Sequence, residues 1–340
     1  MRALRLITEE QVEMTVADAP TPPEGDEVLL AMKAVSLNHI DLFGFRGMAF
    51  AKRQLPLTVG VEGAGVVEAV GPDVAHVKVG DPVVVYPGLF CGSCKRCKAG
   101  QENLCLDIGG IMGFHVDGLA CEQVKAPAKR IIPVPGGVSH IQAACTTVTF
   151  ATVQHMLFDN AKLEPGETIL VHAGGSGIGS TAIKMAKQIG ATVITTVGSD
   201  AKVEQARALG ADHVINYREE RFEGRVRRLT GKQGVDVVFE HVGVDTWAGS
   251  LLSLRRGGRL VTCGSTTGIS AKTNLYQIFQ QQLRIFGSFG SSVQNCVDSL
   301  AKMAEGITPV IDTTIRLEEF PVAIERLRSR DVFGKIVAEI

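Results

Sequence analysis

From about Phe150 the sequence alternates, run by run, between short aliphatic stretches and amphipathic ones: TILVHAG then STAIKMAKQIG, TVITTVG then AKVEQARALG, followed by HVINY, VDVVFEHVG and RLVTCGS. Strands separated by helix-length connections pair in parallel, with the helices laid over the two faces of the sheet. The alternation therefore predicts an α/β, doubly wound parallel sheet, its helices stopped by Gly190 and Gly210.

The first part has a different texture. Between Val28 and about Val124, β-rich runs (VLLAMKAVSL, GVVEAVG, DPVVVYPG) are broken by glycine and proline, which predicts an antiparallel, barrel-like β domain. Gly60, Gly63, Gly65 and Gly71 read as bulges and tight bends, and residues 79–82 as a turn. Beyond Gly290 come amphipathic segments at 293–306 and 317–329, then a strand-like tail, KIVAEI, expected to return to the first domain. A chain of 340 residues holds two cores. The expected division is 1–149, 150–289 and a returning segment 290–340. The formal net charge of -1, with no long basic run, argues against nucleic acid or an anionic membrane as partner and leaves small molecules. No stretch is long and apolar enough to span a bilayer and the start lacks a cleavage-like pattern, so a cytoplasmic location is expected.

Two clusters carry chemistry. Cys91, Cys94, Cys97 and Cys105 sit in CGSCKRCKAGQENLC, a spacing that lets four thiolates converge on one ion. A closed tetrahedral zinc site is the leading expectation, with an Fe–S cluster or unmetallated thiols as alternatives. Such a site holds structure and leaves no position open for catalysis. The turn Gly174, Gly175, Ser176, Gly177, Ile178, Gly179 links an expected strand to an expected helix, where glycines admit a pyrophosphate and the helix N-terminus attracts its charge. Ser176 stands where a strict GxGxxG would have its second glycine. At the end of the next strand Ser199 and Lys202 suit a 2'-phosphate, which points to NADPH, with NADH as the alternative. Asp200 reads as the cap of the following helix or as a displaced ribose ligand.

With these motifs assembled, the chain resembles over nearly its whole length the medium-chain dehydrogenase/reductase superfamily of zinc alcohol dehydrogenases and quinone oxidoreductases. The stretches that carry the resemblance are SLNHIDLF, VGVEGAGVVEAVGP, KVGDPVVV, CGSCKRCKAGQENLC, VHAGGSGIGSTAIKMAK and VDVVFEHVG. The resemblance implies a GroES-like catalytic domain built from both chain ends, a Rossmann domain between them, a substrate cleft where they meet, and a structural zinc on the four cysteines. It also implies that Lys202 and Tyr217, assisted by Arg218, contact the NADPH phosphate, and that His39 contacts the pyrophosphate. Relatives that oxidise alcohols hold a catalytic zinc at positions that look here like Asn38, Val61 and Val148, and their relay hydroxyl falls at Ile40. Two valines and an amide make a poor ligand set. Cys145, three residues before Val148, would restore one ligand after a shift of register.

Without a metal to acidify an alcohol, reduction is the easier direction. The expectation is a reductase of quinones or activated alkenes acting on apolar or conjugated carbonyl substrates, with Asn38 and then Thr152 donating to the developing oxyanion. His39, Asp41, Glu62 and His115 are the polar groups available for an unorthodox site, and Phe43, Phe45, Met48, Phe50 and Phe114 are candidates for an apolar pocket. A zinc alcohol dehydrogenase with nonstandard ligands and a redox-inactive dinucleotide-binding protein are the alternatives. A homodimer or homotetramer is expected, with QQLRIFGSFG as an edge strand for a two-fold contact.

Overall fold

The computed structural model describes residues 1–9, 11–46 and 53–340, so Met48 and Phe50 lie outside the described residues. The chain divides into two compact units, Met1–Ala151 with Ser291–Ile340, and Thr152–Gly290.

The first unit is built on a seven-stranded sheet in the order Ile311–Arg316, Lys335–Glu339, Glu27–Ser36, Gly63–Val70, Pro82–Val85, Ile131–Pro133, with Gln123–Pro127 also paired to Glu27–Ser36. Antiparallel pairing with bulges dominates it. At one bend, a Cβ on Gly71 would fall 2.3 Å from the Gly25 carbonyl oxygen, so only glycine lets the two backbones meet. A three-stranded sheet of Gln11–Val16, Arg2–Thr8 and Leu57–Thr58 sits beside it. The C-terminal tail returns as the sequence suggests: Lys335–Glu339 pairs antiparallel with Glu27–Ser36, Val337 opposite Ser36. Helix Phe320–Arg328 places Phe320, Ala323, Ile324 and Leu327 on one stripe buried in the same core. Phe45 and Phe114 belong to the packing of this unit, 2% and 3% exposed, and the Phe114 ring lies where a side chain on Gly44 would be. They fill the interior of this unit.

The second unit is a six-stranded, all-parallel sheet in the order His213–Asn216, Thr192–Val197, Thr168–Val171, Val235–Glu240, Leu254–Thr262, Arg284–Gly287. In chain order this is 3-2-1-4-5-6, which places the topological switch point between Thr168–Val171 and Val235–Glu240. The central strands are aliphatic on both faces because helices cover both: Ile169, Leu170, Val171, Val237, Val238 and Phe239 have no exposed surface. Burying each such side chain contributes about 1.5–3 kcal/mol. Gly190 and Gly210 take the left-handed conformation expected of helix stops, with φ of 82° and 99°. The capping role expected of Asp200 is not what forms. Ser199 occupies the cap position of helix Asp200–Ala208, and the Asp200 carboxylate accepts 2.9 Å from Asn216 Nδ2, a nearer donor across the strand ends. No helix among the described residues is long and apolar enough to cross a membrane.

Candidate functional site

The cysteine lobe comes first in the chain. The Sγ atoms of Cys91, Cys94, Cys97 and Cys105 all lie within 4.8 Å of one another, with separations of 3.6 Å for Cys94–Cys97 and Cys91–Cys105 and 3.9 Å for Cys91–Cys97. A zinc–thiolate bond of about 2.3 Å makes the edge of a tetrahedron about 3.8 Å, so the donor set fits the ion. Amides of Cys94 and Cys91 point 3.3 Å at Cys91 Sγ and Cys105 Sγ, the backbone support that thiolates want. Among the described residues this is the only group of three or more His, Cys, Asp or Glu side chains close enough to share a metal. The four residues would hold zinc and let it fasten a lobe that has little core of its own.

A second cluster closes around Glu62, a fully buried carboxylate. Its Oε1 accepts from the amides of Val148 (2.7 Å) and Thr149 (2.6 Å), which stand in the first turn of a π-helical segment, Thr146–Phe150, and have no partner within it. Its Oε2 accepts from Ser36 Oγ (2.6 Å), Asn38 Nδ2 (3.0 Å) and Lys335 Nζ (3.3 Å), with Thr149 Oγ1 at 3.0 Å. Lys335 is 4% exposed, and its ammonium also donates to Asn38 Oδ1 (2.6 Å) and the Leu37 carbonyl (2.7 Å), which uses all three of its hydrogens. Asn38 gives its remaining amide hydrogen to Ser36 O at 3.2 Å. The amide expected to donate to substrate is therefore committed inside the protein, because Glu62 and Lys335 both need it. Asp41, 1% exposed, accepts 2.8 Å from the Asn38 amide, and burial pushes its carboxyl up to about 7 despite that bond and the nearby Lys335 charge.

The remaining candidates for this region separate from it. His115 uses Nδ1 to accept from the Ile111 amide, a local turn bond. Cys145 is buried, and its thiol donates to the Ile141 carbonyl at 3.7 Å. Val61 is fully buried and apolar, Val148 half-buried, and Ile40 lies in helix His39–Arg46, which begins with the half-buried His39. Thr152, 9% exposed, belongs to the second unit. Lys335, Ser36 and Thr149 were not singled out in the sequence. The only available signal was a lone cation opening an otherwise apolar strand, KIVAE.

In the second unit the glycine turn stands at the switch point. A Cβ on Gly179 would sit 2.2 Å from the Ala173 carbonyl, so the turn closes only around glycine. Ser176 is the N-cap of helix Gly177–Gln188 and accepts 3.0 Å from the Gly179 amide. Its extended backbone, φ -80° and ψ 163°, needs no glycine, and this explains the departure from GxGxxG. One strand further out, Ser199 and Lys202 stand at the start of helix Asp200–Ala208, and Tyr217 follows strand His213–Asn216. The Tyr217 hydroxyl lies 2.4 Å from where a Cβ on Gly198 would be, so the tyrosine bears on the bare backbone beside Ser199. Tyr217 and its neighbour Arg218 are exposed.

The chain is similar to known proteins. A family model of the alcohol dehydrogenase GroES-like domain matches residues 24–136, and one of the zinc-binding dehydrogenases matches residues 177–306. The chain is 34% identical over 265 residues to a quinone oxidoreductase of Salmonella typhimurium, covering 78% of this chain and 72% of that one. It is 32% identical over 321 residues to a sorbitol dehydrogenase of Bacillus subtilis, covering 92% and 90%. A solved structure of an NAD-dependent alcohol dehydrogenase superposes with a TM-score of 0.94 at 38% identity over the full length of both chains.

Proposed function

The chain belongs to the medium-chain dehydrogenase/reductase superfamily and is an NAD(P)-dependent oxidoreductase; from that membership we propose that it reduces quinones or other activated alkenes with NADPH and needs no catalytic metal. One observation carries the metal-free part: the Glu62–Asn38 pair already holds a cation, the Lys335 ammonium, 3.3 Å from the carboxylate and 2.6 Å from the amide oxygen. A divalent ion brought to the same oxygens would meet that positive charge, and Val61 and Val148 offer it no atom to bind.

The turn 174–179 would hold the cofactor, which would supply a hydride to an electron-poor carbon whose conjugated carbonyl delocalises the charge. The chain's own part is to place and to protonate. Ser199, Lys202, Tyr217 and Arg218 would favour the 2'-phosphate by hydrogen bonds and positive charge. Asp41, whose carboxyl burial pushes up to about 7, retains a proton near neutrality and is the first unit's candidate proton donor. Thr152 remains the hydroxyl candidate for the developing oxyanion, while Asn38 positions Lys335 and Glu62.

The test is a pair of measurements on the purified chain. Loss of NADPH absorbance with a panel of quinones and enones, together with one zinc per chain by elemental analysis, is the expected result. Alcohol oxidation with a second zinc per chain would return the protein to the alcohol dehydrogenases that its structural relative represents. Inactivity across the whole panel would favour a redox-inactive dinucleotide binder.

A further inference from the structure

Behind the glycine turn, inside the second unit, a line of fully buried polar groups runs across the switch point. Its members are Thr196 (2% exposed), His172, Ser250 and Glu240 (each 0%). Distances fix the partners: Ala173 N to Thr196 Oγ1 3.1 Å, Thr196 Oγ1 to His172 Nδ1 3.2 Å, His172 Nε2 to Ser250 Oγ 2.8 Å, Ser250 Oγ to Glu240 Oε2 2.6 Å.

Counting donors fixes the direction. The Glu240 carboxylate only accepts, so the Ser250 hydrogen goes to it, and Ser250 Oγ must then accept from His172 Nε2–H. A neutral imidazole has one N–H, so Nδ1 is an acceptor and takes the Thr196 hydrogen. Thr196 Oγ1 is thereby free to accept the Ala173 amide. Every donor has one acceptor and the line reads one way, from the backbone of the first turn to a buried charge. The other oxygen, Glu240 Oε1, gathers the turn after the neighbouring strand: Val242 N at 2.7 Å, Gly243 N at 3.1 Å and Thr246 Oγ1 at 3.0 Å. Ala173 is the residue such a line would need to hold. It is a non-glycine in the left-handed region, φ 48°, and its carbonyl accepts the Ser176 amide and faces Gly179.

We propose that this directed line is a positioning device of the dinucleotide site, in which Glu240 anchors the turn at 242–244 and, through Ser250, His172 and Thr196, aims the Ala173 amide and keeps the turn at 174–179 in shape. It rests on the assignment of the turn 174–179 to the dinucleotide. The device requires a neutral His172, since a second N–H at Nδ1 would face Thr196 Oγ1 and leave the threonine hydrogen without an acceptor. The groups that bear on the ring are consistent with that: burial lowers its pKa to about 4, His241 adds to the effect, Glu240 opposes it, and the Phe222 ring packs edge-on at 4.8 Å. His241 itself bonds the His172 carbonyl through Nε2 at 2.9 Å.

Thr196→Val keeps the shape and deletes both bonds of the hydroxyl, and Thr196→Ser restores it. The expected result is roughly a tenfold rise in the NADPH dissociation constant for T196V, with turnover at saturating NADPH within about twofold of the parent and T196S close to the parent. A folded T196V that binds NADPH as the parent does, or a T196S as weak as T196V, overturns the proposal. Should T196V fail to fold, long-range proton–nitrogen correlation of the parent decides: His172 is expected as the Nε2–H tautomer with no titration near 6.5, and an Nδ1–H ring or an ordinary titration overturns it. Gly179→Ala separates the two readings. It must abolish NADPH binding if the turn holds the dinucleotide, and unaltered binding by folded G179A sinks that assignment, whatever T196V does.

Discussion

The lysine at position 335 illustrates how a single residue sets the character of a site. An ammonium with 4% exposure is tolerated only because three oxygens surround it, one of them on a carboxylate that is itself fully buried. Removing either partner leaves an uncompensated charge inside the first unit. Lys335→Met is expected to lower the unfolding free energy by about 3–5 kcal/mol in urea titrations, and Glu62→Gln by a comparable amount, whereas the double variant loses much less than the two together. A K335M chain that unfolds like the parent would show that the ammonium is not needed there. Asp41 makes a separate statement, about pH. Its carboxyl titrates at about 7 in the folded chain and near 3.9 when unfolded, so the folded state holds the extra proton between those values. The stability it contributes is present at low pH and is lost as pH rises through 7. Asp41→Asn should therefore gain on the parent between pH 4 and pH 8. A difference that stays flat with pH would mean that the carboxyl is ordinary.

Elements defined by local rules were legible in the sequence. Five of the six parallel strands follow from aliphatic runs at helix-length spacing, the helix stops from glycine at left-handed positions, and the cysteine lobe from the spacing of four thiols. What was not legible was closure between distant parts. Lys335 meets Glu62 across 273 residues, and nothing in KIVAEI announces its partner. Asp200 failed as a cap for the same reason, since Asn216 is sixteen positions away and reached its carboxylate first. The lobe also has a long-range tie: Glu102 Oε2 accepts 3.1 Å from the Val293 amide at the start of helix Val293–Ala304. Stripping the metal with a strong chelator should thus raise amide hydrogen exchange both in residues 91–105 and at the first turn of that helix, and leave the parallel sheet of the second unit protected. Loss of protection confined to residues 91–105 would show that the tie transmits nothing.

For the molecule as a whole, the open question is what covers the edge of the parallel sheet. Among the described residues, strand Arg284–Gly287 pairs on one side only, with Leu254–Thr262, and Ile285 is 38% exposed. The same stretch of chain carries Ile269, Leu275, Tyr276, Phe279 and Phe289 at 91%, 70%, 59%, 67% and 61% exposure, with the Tyr276 and Phe279 rings in edge contact at 5.2 Å. Large apolar side chains beside an unpaired strand invite another chain, and a natural edge left alone is normally short, charged or bulged. A second copy presenting the same edge across a two-fold axis would satisfy the strand and bury the aromatics at once. The double substitution Tyr276→Lys and Phe279→Lys puts like charges on both sides of that contact while leaving each subunit's buried core untouched. It is expected to convert a dimer, or a tetramer into smaller species, in light scattering coupled to size exclusion, with NADPH binding by the second unit retained. An unchanged mass for Y276K/F279K would show that this edge makes no contact between copies.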